Sequence, residues 1–184
     1  MAKSSLSLLQ EAVRFAAKAH RGQDRDGSAA LPYFTHPIDV MNRLRYDAGV
    51  EDEEILAVGA LHDVVEECGV GLDELAVRFG SRVAGLVGEL TRSEPTAEEI
   101  ASLSEAEVVE LRSRMLLADI AKMSPEAQLV KLADRASNLN ASLKTRSGEK
   151  RARYVRQSYL ILETIPREVS PVLWDGIQEM LKGV

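Results

Sequence analysis

The sequence predicts a compact, all-α fold in which residues 1–184 form a single domain. The first observation is size: the chain has 184 residues, 45% of them hydrophobic, which is enough to bury one core. The second is composition, because abundant Ala, Leu, Val, Glu and Arg favour helix, and aromatic residues reach only 4%. The third is periodicity, since apolar residues recur at helical spacing between short breaks and no convincing strand alternation is present.

The first part of the chain predicts two helices joined by a loop. An apolar stripe predicts a first helix that ends near His20. Residues 21–35 are polar and contain glycine, which predicts a loop. Thr35 or His36 is expected to cap the second helix, which has a proline in its first turn and ends near residue 49.

The rest of the chain continues the helical pattern. A third helix is expected after the cap residue Asp52, and glycines end it at residues 69–71. Residues 92–102 read as a charged loop. The remaining helices are predicted at residues 72–79, 81–90, 104–122, 125–143, 148–165 and 171–181.

Charge and cysteine content exclude several classes of function. A net charge of −6 does not suit nonspecific nucleic-acid binding, so any anionic substrate must meet local cations. Cys68 is the one cysteine, which excludes an internal disulfide and favours a reducing compartment. No signal-peptide or membrane-span pattern is present. We expect a cytoplasmic protein without nucleic-acid or membrane partners, and its oligomeric state is unknown.

The segment ALHDVVEECG, residues 60–69, places one histidine and three carboxylates in an otherwise apolar helix. At about 100° per residue, four polar residues fall on one side of a continuous helix: His62, Asp63, Glu66 and Glu67. That side continues the direction of Ile55, which is expected to be buried. Negative charge near a helix C-terminus is mildly unfavourable, so the two glutamates indicate function rather than a solvated helix end.

A second polar cluster lies in VKLADRASNL, residues 130–139. Four polar residues follow the spacing i, i+3, i+4 and i+7, and so share one helix face: Lys131, Asp134, Arg135 and Asn138. Apolar residues surround them. A carboxylate in such a setting needs a partner or a metal ion.

These segments supply the ligands of a metal site. Two imidazoles and two carboxylates are available: His36, His62, Asp63 and Asp134. Nitrogen and oxygen without thiolate suit Mn²⁺, Fe²⁺ or Zn²⁺ with open positions for water. Such an ion lowers the pKa of bound water, and either glutamate could then act as general acid or base or orient that water. His20, at a helix end, is expected to be structural or to line the pocket.

The sequence motifs around these residues are more specific than a His-Asp dipeptide. They are AxxFAAxAHRGQ, PYFTHPIDV, ALHDVVEE, LxxxFGxxVAxLVxxLT and KLADRASNL. The ordered set H…HD…D resembles the pattern of the HD-domain phosphohydrolases. The flanking motifs resemble those of the alarmone hydrolase domain of Rel/SpoT proteins. The resemblance is strongest to the stand-alone small alarmone hydrolases, covers about residues 8–160, and leaves no room for a synthetase domain.

This resemblance implies an all-helical HD-domain fold, an Mn²⁺ ion and an enzyme of the stringent response. The implied reaction removes pyrophosphate from the 3′ position of (p)ppGpp and leaves GDP or GTP. The implied metal ligands are His36, His62, Asp63 and Asp134. The implied water-activating pair is Glu66 and Glu67. The implied substrate contacts are Arg21, Lys131, Asn138 and Tyr154.

Two departures from the family pattern keep alternatives open. The acidic pair is usually Glu-Asp, and one extra methylene at Glu67 moves its carboxylate by roughly 1 Å, to which catalysis is sensitive. Ala141 stands where the family often offers the base a polar side chain, so (p)ppApp is a plausible substrate. The rivals are an NADPH 2′-phosphatase on the same fold, a nucleotide sensor without turnover, and a purely structural helical protein.

Overall fold

A computed structural model describes residues 6–25 and 28–184, with the side chains of residues 28–30 left aside. The first helices and strands are α1 (Leu8–Ala19), β1 (Asp24–Arg25), β2 (Ser28–Pro32), α2 (Thr35–Asn42), a π-helical turn (Arg43–Asp47), α3 (Glu53–Leu61) and α4 (Val64–Cys68). The following ones are α5 (Leu72–Phe79), α6 (Ser81–Leu90), α7 (Ala97–Ile100), α8 (Glu105–Lys122), α9 (Pro125–Thr145), α10 (Gly148–Thr164), a 3-10 turn (Arg167–Val169) and α11 (Pro171–Lys182). Within these described residues, no helix has the length and apolar character to cross a membrane.

The all-α prediction is confirmed, and the expected loop at residues 21–35 is corrected. It contains a small antiparallel hairpin in which Asp24 pairs with Pro32 and Arg25 with Ser28. A two-residue strand is too short to show alternation, so the sequence pattern carried no signal for it. The hairpin leads directly into α2.

Three further boundaries differ from the prediction. Phe34 occupies the N-cap position of α2 without a side-chain cap, and the Thr35 hydroxyl donates backwards to the Pro32 carbonyl, so neither expected residue caps the helix. Gly80, rather than Ser81, is the N-cap of α6. The charged loop at 92–102 contains the short helix α7, started by a capping box at Thr96.

Two helices form the centre of the fold. Every residue of α3 from Ile55 to Leu61 is buried, and α9 is buried almost continuously from Ala127 to Ser137. A helix that is apolar on all sides belongs in a core, which explains α3. Because α9 also buries charged residues there, its polar face must meet other polar groups inside the protein.

The buried apolar side chains form one cluster that reaches from α1 to α11. Ile177 and Leu181 of α11 join it, and α11 packs against α9. Asp52 caps α3 as expected, because its Oδ1 accepts from the Glu54 amide at 2.9 Å. A cap therefore fixes the start of α3, and burial holds both central helices along their sides.

Candidate metal centre and substrate cavity

The helix that carries HDVVEE is interrupted at its polar residues. α3 ends at Leu61 and α4 begins at Val64, so the expected continuous helix through His62 and Asp63 is corrected. The backbone of Asp63, with φ −100° and ψ −5°, breaks the regular hydrogen bonding there. The His62 side chain lies near both α2 and α9, 3.3 Å from His36 and 3.8 Å from Asp134, and the Asp63 side chain lies 3.4 Å from His36.

Four predicted ligands converge at this break. Suitable atoms of His36, His62 and Asp134 all lie within 4.8 Å of one another. The two imidazole Nε2 atoms are 3.3 Å apart. The Oδ2 atom of Asp63 lies 3.1 Å from Nε2 of His62 and 3.4 Å from Nε2 of His36. The Oδ1 atom of Asp134 lies 3.2 Å from the His36 Nε2 atom on its other side.

The outer nitrogen of each imidazole is already engaged. Nδ1 of His62 donates to the Gly59 carbonyl at 2.9 Å, since a carbonyl only accepts. In the neutral imidazole this leaves the Nε2 lone pair directed into the cluster, as a metal ligand requires. Nδ1 of His36 lies 3.0 Å from the Ser137 hydroxyl of α9, which fixes the second ring in the same way.

The electric field of the cluster favours a positive charge at its centre. Burial alone would lower the pKa of His62, but the adjacent Asp63 carboxylate raises this pKa to about 9. Burial would likewise raise the pKa of Asp134, yet the Lys131 ammonium, 3.1 Å from Oδ2, and the His36 ring hold it far below its usual range. Burial also opposes ionisation of Asp63, but the charge of His62 holds the pKa of Asp63 well below its ordinary value, so both carboxylates are ionised at neutral pH.

Tyr33, in the turn between β2 and α2, makes a hydrogen bond to the cluster through Asp63. Burial, followed by the charge of Asp63, raises the pKa of Tyr33 above its ordinary value, so its hydroxyl remains protonated. That hydroxyl donates to Oδ2 of Asp63 at 2.6 Å. The Tyr33 ring stacks on buried His20 at 4.7 Å, and His20 contacts Gln23 rather than the cluster, which agrees with a structural reading of His20.

These donors fit a divalent metal ion. Two nitrogens and two carboxylates converge without thiolate, which is a donor set for first-row divalent metals. One buried carboxylate, Asp134, and one partly buried carboxylate, Asp63, face the two imidazoles, and a cation among them would stabilise this concentration of negative charge. The hydrogen bonds on the outer atoms hold the rings and carboxylates in place. The geometry thus supports a divalent-metal site.

A cavity of about 690 Å³ opens over this cluster. Its wall includes Asp63 and Asp134 of the cluster and both predicted glutamates. Five basic side chains also line it: Arg25, Arg92, Lys131, Arg135 and Arg146. A cavity with such cations beside metal-type ligands suits an anionic ligand such as a phosphate ester.

The two glutamates occupy different environments. Glu66 is held by Arg92, whose backbone amide donates to one carboxylate oxygen at 2.6 Å and whose Nε donates to the other at 2.9 Å. Glu67 is exposed at the edge of the cavity, and its carboxylate has no ion pair or hydrogen bond with the part of the chain that is described. One carboxylate is fixed and the other is free to reorient.

Three of the four predicted substrate contacts line the cavity. Lys131 lies beside Asp134, and Asn138 bridges the Arg25 guanidinium, at 2.9 Å, to Asp134. Two guanidinium groups lie near the ring of Tyr154, those of Arg135 at 4.5 Å and Arg146 at 5.0 Å from its centroid. These positions leave each residue within reach of a bound ligand.

The fourth, Arg21, is exposed in the turn after α1 and is not part of the cavity wall. Arg25 on β1 lines the cavity instead, because the hairpin folds back over α9. Sequence analysis also missed Tyr33 and Arg92. Tyr33 lies three residues before the ligand candidate His36 in PYFTHP, and this closeness could have marked it as a site residue. Arg92 stands in a charged loop, and nothing in that pattern marks it as a site residue.

Known proteins are similar to this chain over most of its length. The sequence matches the HD domain family over residues 12–162. It is 38% identical over 136 residues to the Homo sapiens guanosine-3′,5′-bis(diphosphate) 3′-pyrophosphohydrolase MESH1, which covers 74% of this chain and 70% of that protein. Its identity to the Drosophila melanogaster protein of the same name is 35% over 139 residues, or 76% of this chain and 72% of the relative.

A solved structure is similar over almost the whole chain. It is described as a metazoan ortholog of SpoT that hydrolyses ppGpp, and it superimposes with a TM-score of 0.82 at 28% identity. The superposition covers 99% of this chain and 98% of that one. The chain therefore belongs to the HD domain family, among the alarmone hydrolases of the Rel/SpoT type.

Proposed function

We propose that this protein is a metal-dependent hydrolase that removes the 3′-pyrophosphate of (p)ppGpp-type alarmones and releases the nucleoside di- or triphosphate. One observation carries the proposal: two imidazoles and two carboxylates converge in the wall of a cavity that holds five basic side chains. A phosphate ester in this cavity would meet metal-type ligands and cations together. The relatives named for this reaction support the choice of substrate.

The proposed ligands of the ion are His36, His62, Asp63 and Asp134, and the proposed ion is Mn²⁺. Imidazole and carboxylate donors suit Mn²⁺, although they do not distinguish it from Fe²⁺ or Zn²⁺ by chemistry alone. When bound, such an ion polarises a phosphate oxygen and lowers the pKa of a bound water. Both histidines and Asp134 have ligand atoms mutually within 4.8 Å, which supports the set.

Glu66 and Glu67 are proposed to handle the attacking water. Arg92 holds both oxygens of Glu66, so this carboxylate suits the task of orienting the water. Glu67 is exposed at the cavity edge, and its unpaired carboxylate is the one available to accept the proton of that water. The extra methylene of Glu67 is accommodated there because the side chain is exposed at the cavity edge.

The proposed reaction is a displacement at the phosphorus bound to the ribose 3′ oxygen. Water attacks this phosphorus, the bond between phosphorus and the 3′ oxygen breaks, and the 3′ oxygen takes up a proton. Pyrophosphate and the nucleoside di- or triphosphate leave. Lys131 and Arg25 offset phosphate charge, whereas Asn138 and Tyr154 position the nucleoside. Arg21 stays a predicted substrate contact, from an exposed position outside the cavity wall.

The direct test is a substrate panel. Purified protein is incubated with (p)ppGpp, (p)ppApp or NADPH, each with Mn²⁺ and with a chelator, and products are separated by anion-exchange chromatography. We expect Mn²⁺-dependent release of pyrophosphate from the alarmones. Asp63→Asn should abolish this, while Asp73→Asn, at an exposed site on α5, should not. Absence of pyrophosphate release from every alarmone would contradict the proposal.

The same panel separates the alternatives. Phosphate release from NADPH alone would indicate a 2′-phosphatase. Binding without turnover, with turnover restored by Glu67→Asp, would indicate a sensor. For the base, Ala141 lines the cavity without a polar group, but the neighbouring Ser142 hydroxyl is buried there and has no partner among the described residues. The ratio of kcat/KM for guanine and adenine substrates measures which base this wall prefers.

A further inference from the structure

A glutamine from the turn between α1 and β1 is bonded to the helix end that carries Glu67. Nε2 of Gln23 donates to the backbone carbonyl oxygen of Glu67 at 2.9 Å. Among the described residues no backbone amide donates to this oxygen, because the chain turns at Gly69 and the Val70 amide donates to the Val64 carbonyl instead. The Gln23 side chain therefore takes the place of a missing helical hydrogen bond.

His20 fixes the orientation of this glutamine. Nδ1 of His20 lies 2.8 Å from Oε1 of Gln23. Because the Gln23 nitrogen donates to Glu67, the atom that faces His20 is the amide oxygen, which only accepts, so Nδ1 carries the imidazole proton. His20 is itself buried, and its ring is stacked on Tyr33. The Gln23 amide is thus held at both of its polar atoms.

The same glutamine is connected to the metal-type cluster through its backbone. The Gln23 carbonyl oxygen accepts from the Tyr33 amide at 2.8 Å, and the Tyr33 hydroxyl donates to the Asp63 carboxylate. The Glu67 amide in turn donates to the Asp63 carbonyl at 2.9 Å. These four residues therefore form a closed ring of hydrogen bonds, and the Gln23 side chain makes the bond that closes it.

The Glu67 carboxylate depends on this ring for its position. It makes no ion pair or hydrogen bond of its own within the part of the chain that the structure describes, so its backbone decides where it lies. That backbone belongs to α4, a helix of five residues, which is too short to hold its shape without outside contacts. A displacement of about 1 Å at a catalytic group is enough to slow a reaction.

We propose that Gln23 is a positioning residue for the hydrolysis, which holds the Glu67 backbone where its carboxylate reaches the attacking water. The inference rests on the proposed function, because it takes Glu67 as the group that accepts the proton of that water. Gln23 acts through Glu67 and therefore on kcat. Since Gln23 also forms part of the cavity wall, KM is the quantity that separates positioning from direct contact with the substrate.

The first arm of the test measures turnover of ppGpp by Gln23→Met, which keeps the length of the side chain and removes its donor. Gln178→Met is the matched control, because Gln178 is a half-buried glutamine of α11 outside the cavity wall. We expect kcat to fall about tenfold in Gln23→Met, with KM and Mn²⁺ affinity each changed less than about twofold. An unchanged kcat, or an equal loss of Mn²⁺ affinity, would overturn the positioning role.

The second arm tests whether the proton on His20 Nδ1 supports the glutamine. The side-chain amide of His20→Asn can still donate to Oε1 of Gln23, whereas His20→Leu cannot, and both variants lose the ring stacked on Tyr33. We expect kcat of His20→Asn to exceed that of His20→Leu about fivefold. Equal kcat values in the two folded variants would count against the proposal.

The third arm does not depend on turnover. Amide hydrogen exchange at Val70, whose bond to Val64 closes the end of α4, should become about tenfold faster in Gln23→Met because that end opens more readily. Unchanged exchange at Val70 would overturn the proposal whatever the activity. If wild type hydrolyses no alarmone, the proposed function fails, whereas faster exchange in Gln23→Met still shows that Gln23 holds this helix end.

Discussion

Removing the Tyr33 hydroxyl should weaken metal binding without disturbing the fold. In Tyr33→Phe the ring is retained, and with it the stacking on His20 at 4.7 Å. One hydrogen bond is lost, the 2.6 Å donation to Oδ2 of Asp63. The acceptor is an ionised carboxylate, and hydrogen bonds to charged groups contribute about 1.5–3 kcal/mol.

This free energy sets the expected size of the effect. If the hydroxyl serves to orient Asp63 as a ligand, a loss of about 1.5–3 kcal/mol corresponds to metal binding that is weaker by about 10- to 150-fold. The upper part of that range holds only if water does not replace the hydroxyl. Because the cavity is open to solvent on one side, we expect a result near the lower end, about 10- to 30-fold.

The assay is a competitive titration of Mn²⁺ against a metal indicator, with circular dichroism to monitor folding. Tyr46→Phe is the matched control, since Tyr46 is 79% exposed and loses the same single atom. Unchanged Mn²⁺ affinity in a folded Tyr33→Phe protein would refute the reasoning, because it would show that Asp63 needs no support from Tyr33 to bind the ion.

Three other changes test separate parts of the structure. Arg92→Ala releases Glu66 from its two hydrogen bonds; we expect kcat to fall about tenfold with a smaller change in KM, measured by steady-state kinetics, and an unchanged kcat would contradict an orienting role. Arg82→Ala removes a half-exposed guanidinium that lowers the pKa of Asp52; urea unfolding should show a loss of at most about 1 kcal/mol near neutral pH. That loss should shrink as the pH falls below the unfolded pKa of Asp52, about 4, toward its lower folded pKa, and a loss that is as large in acid as at neutral pH would contradict it. Ile177→Ala, at a fully buried site outside the family match, should lower the free energy of unfolding by about 2–5 kcal/mol within one cooperative transition, whereas two transitions would show that α11 is a separate unit.

The sequence predicted the parts of the fold that depend on local pattern. α5 was placed at its observed limits, and α9 was placed within two residues, because glycine, proline and capping residues mark their ends. The break at His62 was not predictable in this way. Apolar residues flank it on both sides, and the helix yields there to polar contacts with α2 and α9, which are tertiary.

In the candidate site, too, local sequence pattern predicted some residues, and others are brought to the cavity only by the tertiary fold. The predicted ligands came from segments with distinctive residue types, and the fold does bring them together. Arg25 and Arg92 were missed since their spacing resembles any solvated loop, and only the hairpin and the end of α6 turn them toward the cavity. Arg21 illustrates the opposite case: a residue inside a recognisable motif can still face solvent, because its direction is set by the turn in which it lies.

The hydrogen bonds around the cluster hold its side chains in the orientation that a metal site requires. The Nε2 atoms of the two imidazoles face each other at 3.3 Å, and oxygens of Asp63 and Asp134 lie within 3.4 Å of them. The outer Nδ1 atoms also have dedicated partners, Gly59 for His62 and Ser137 for His36. A fold that satisfies the outer atoms and directs the inner ones at one point has fixed the positions of ligands in advance, so binding a cation there requires little rearrangement.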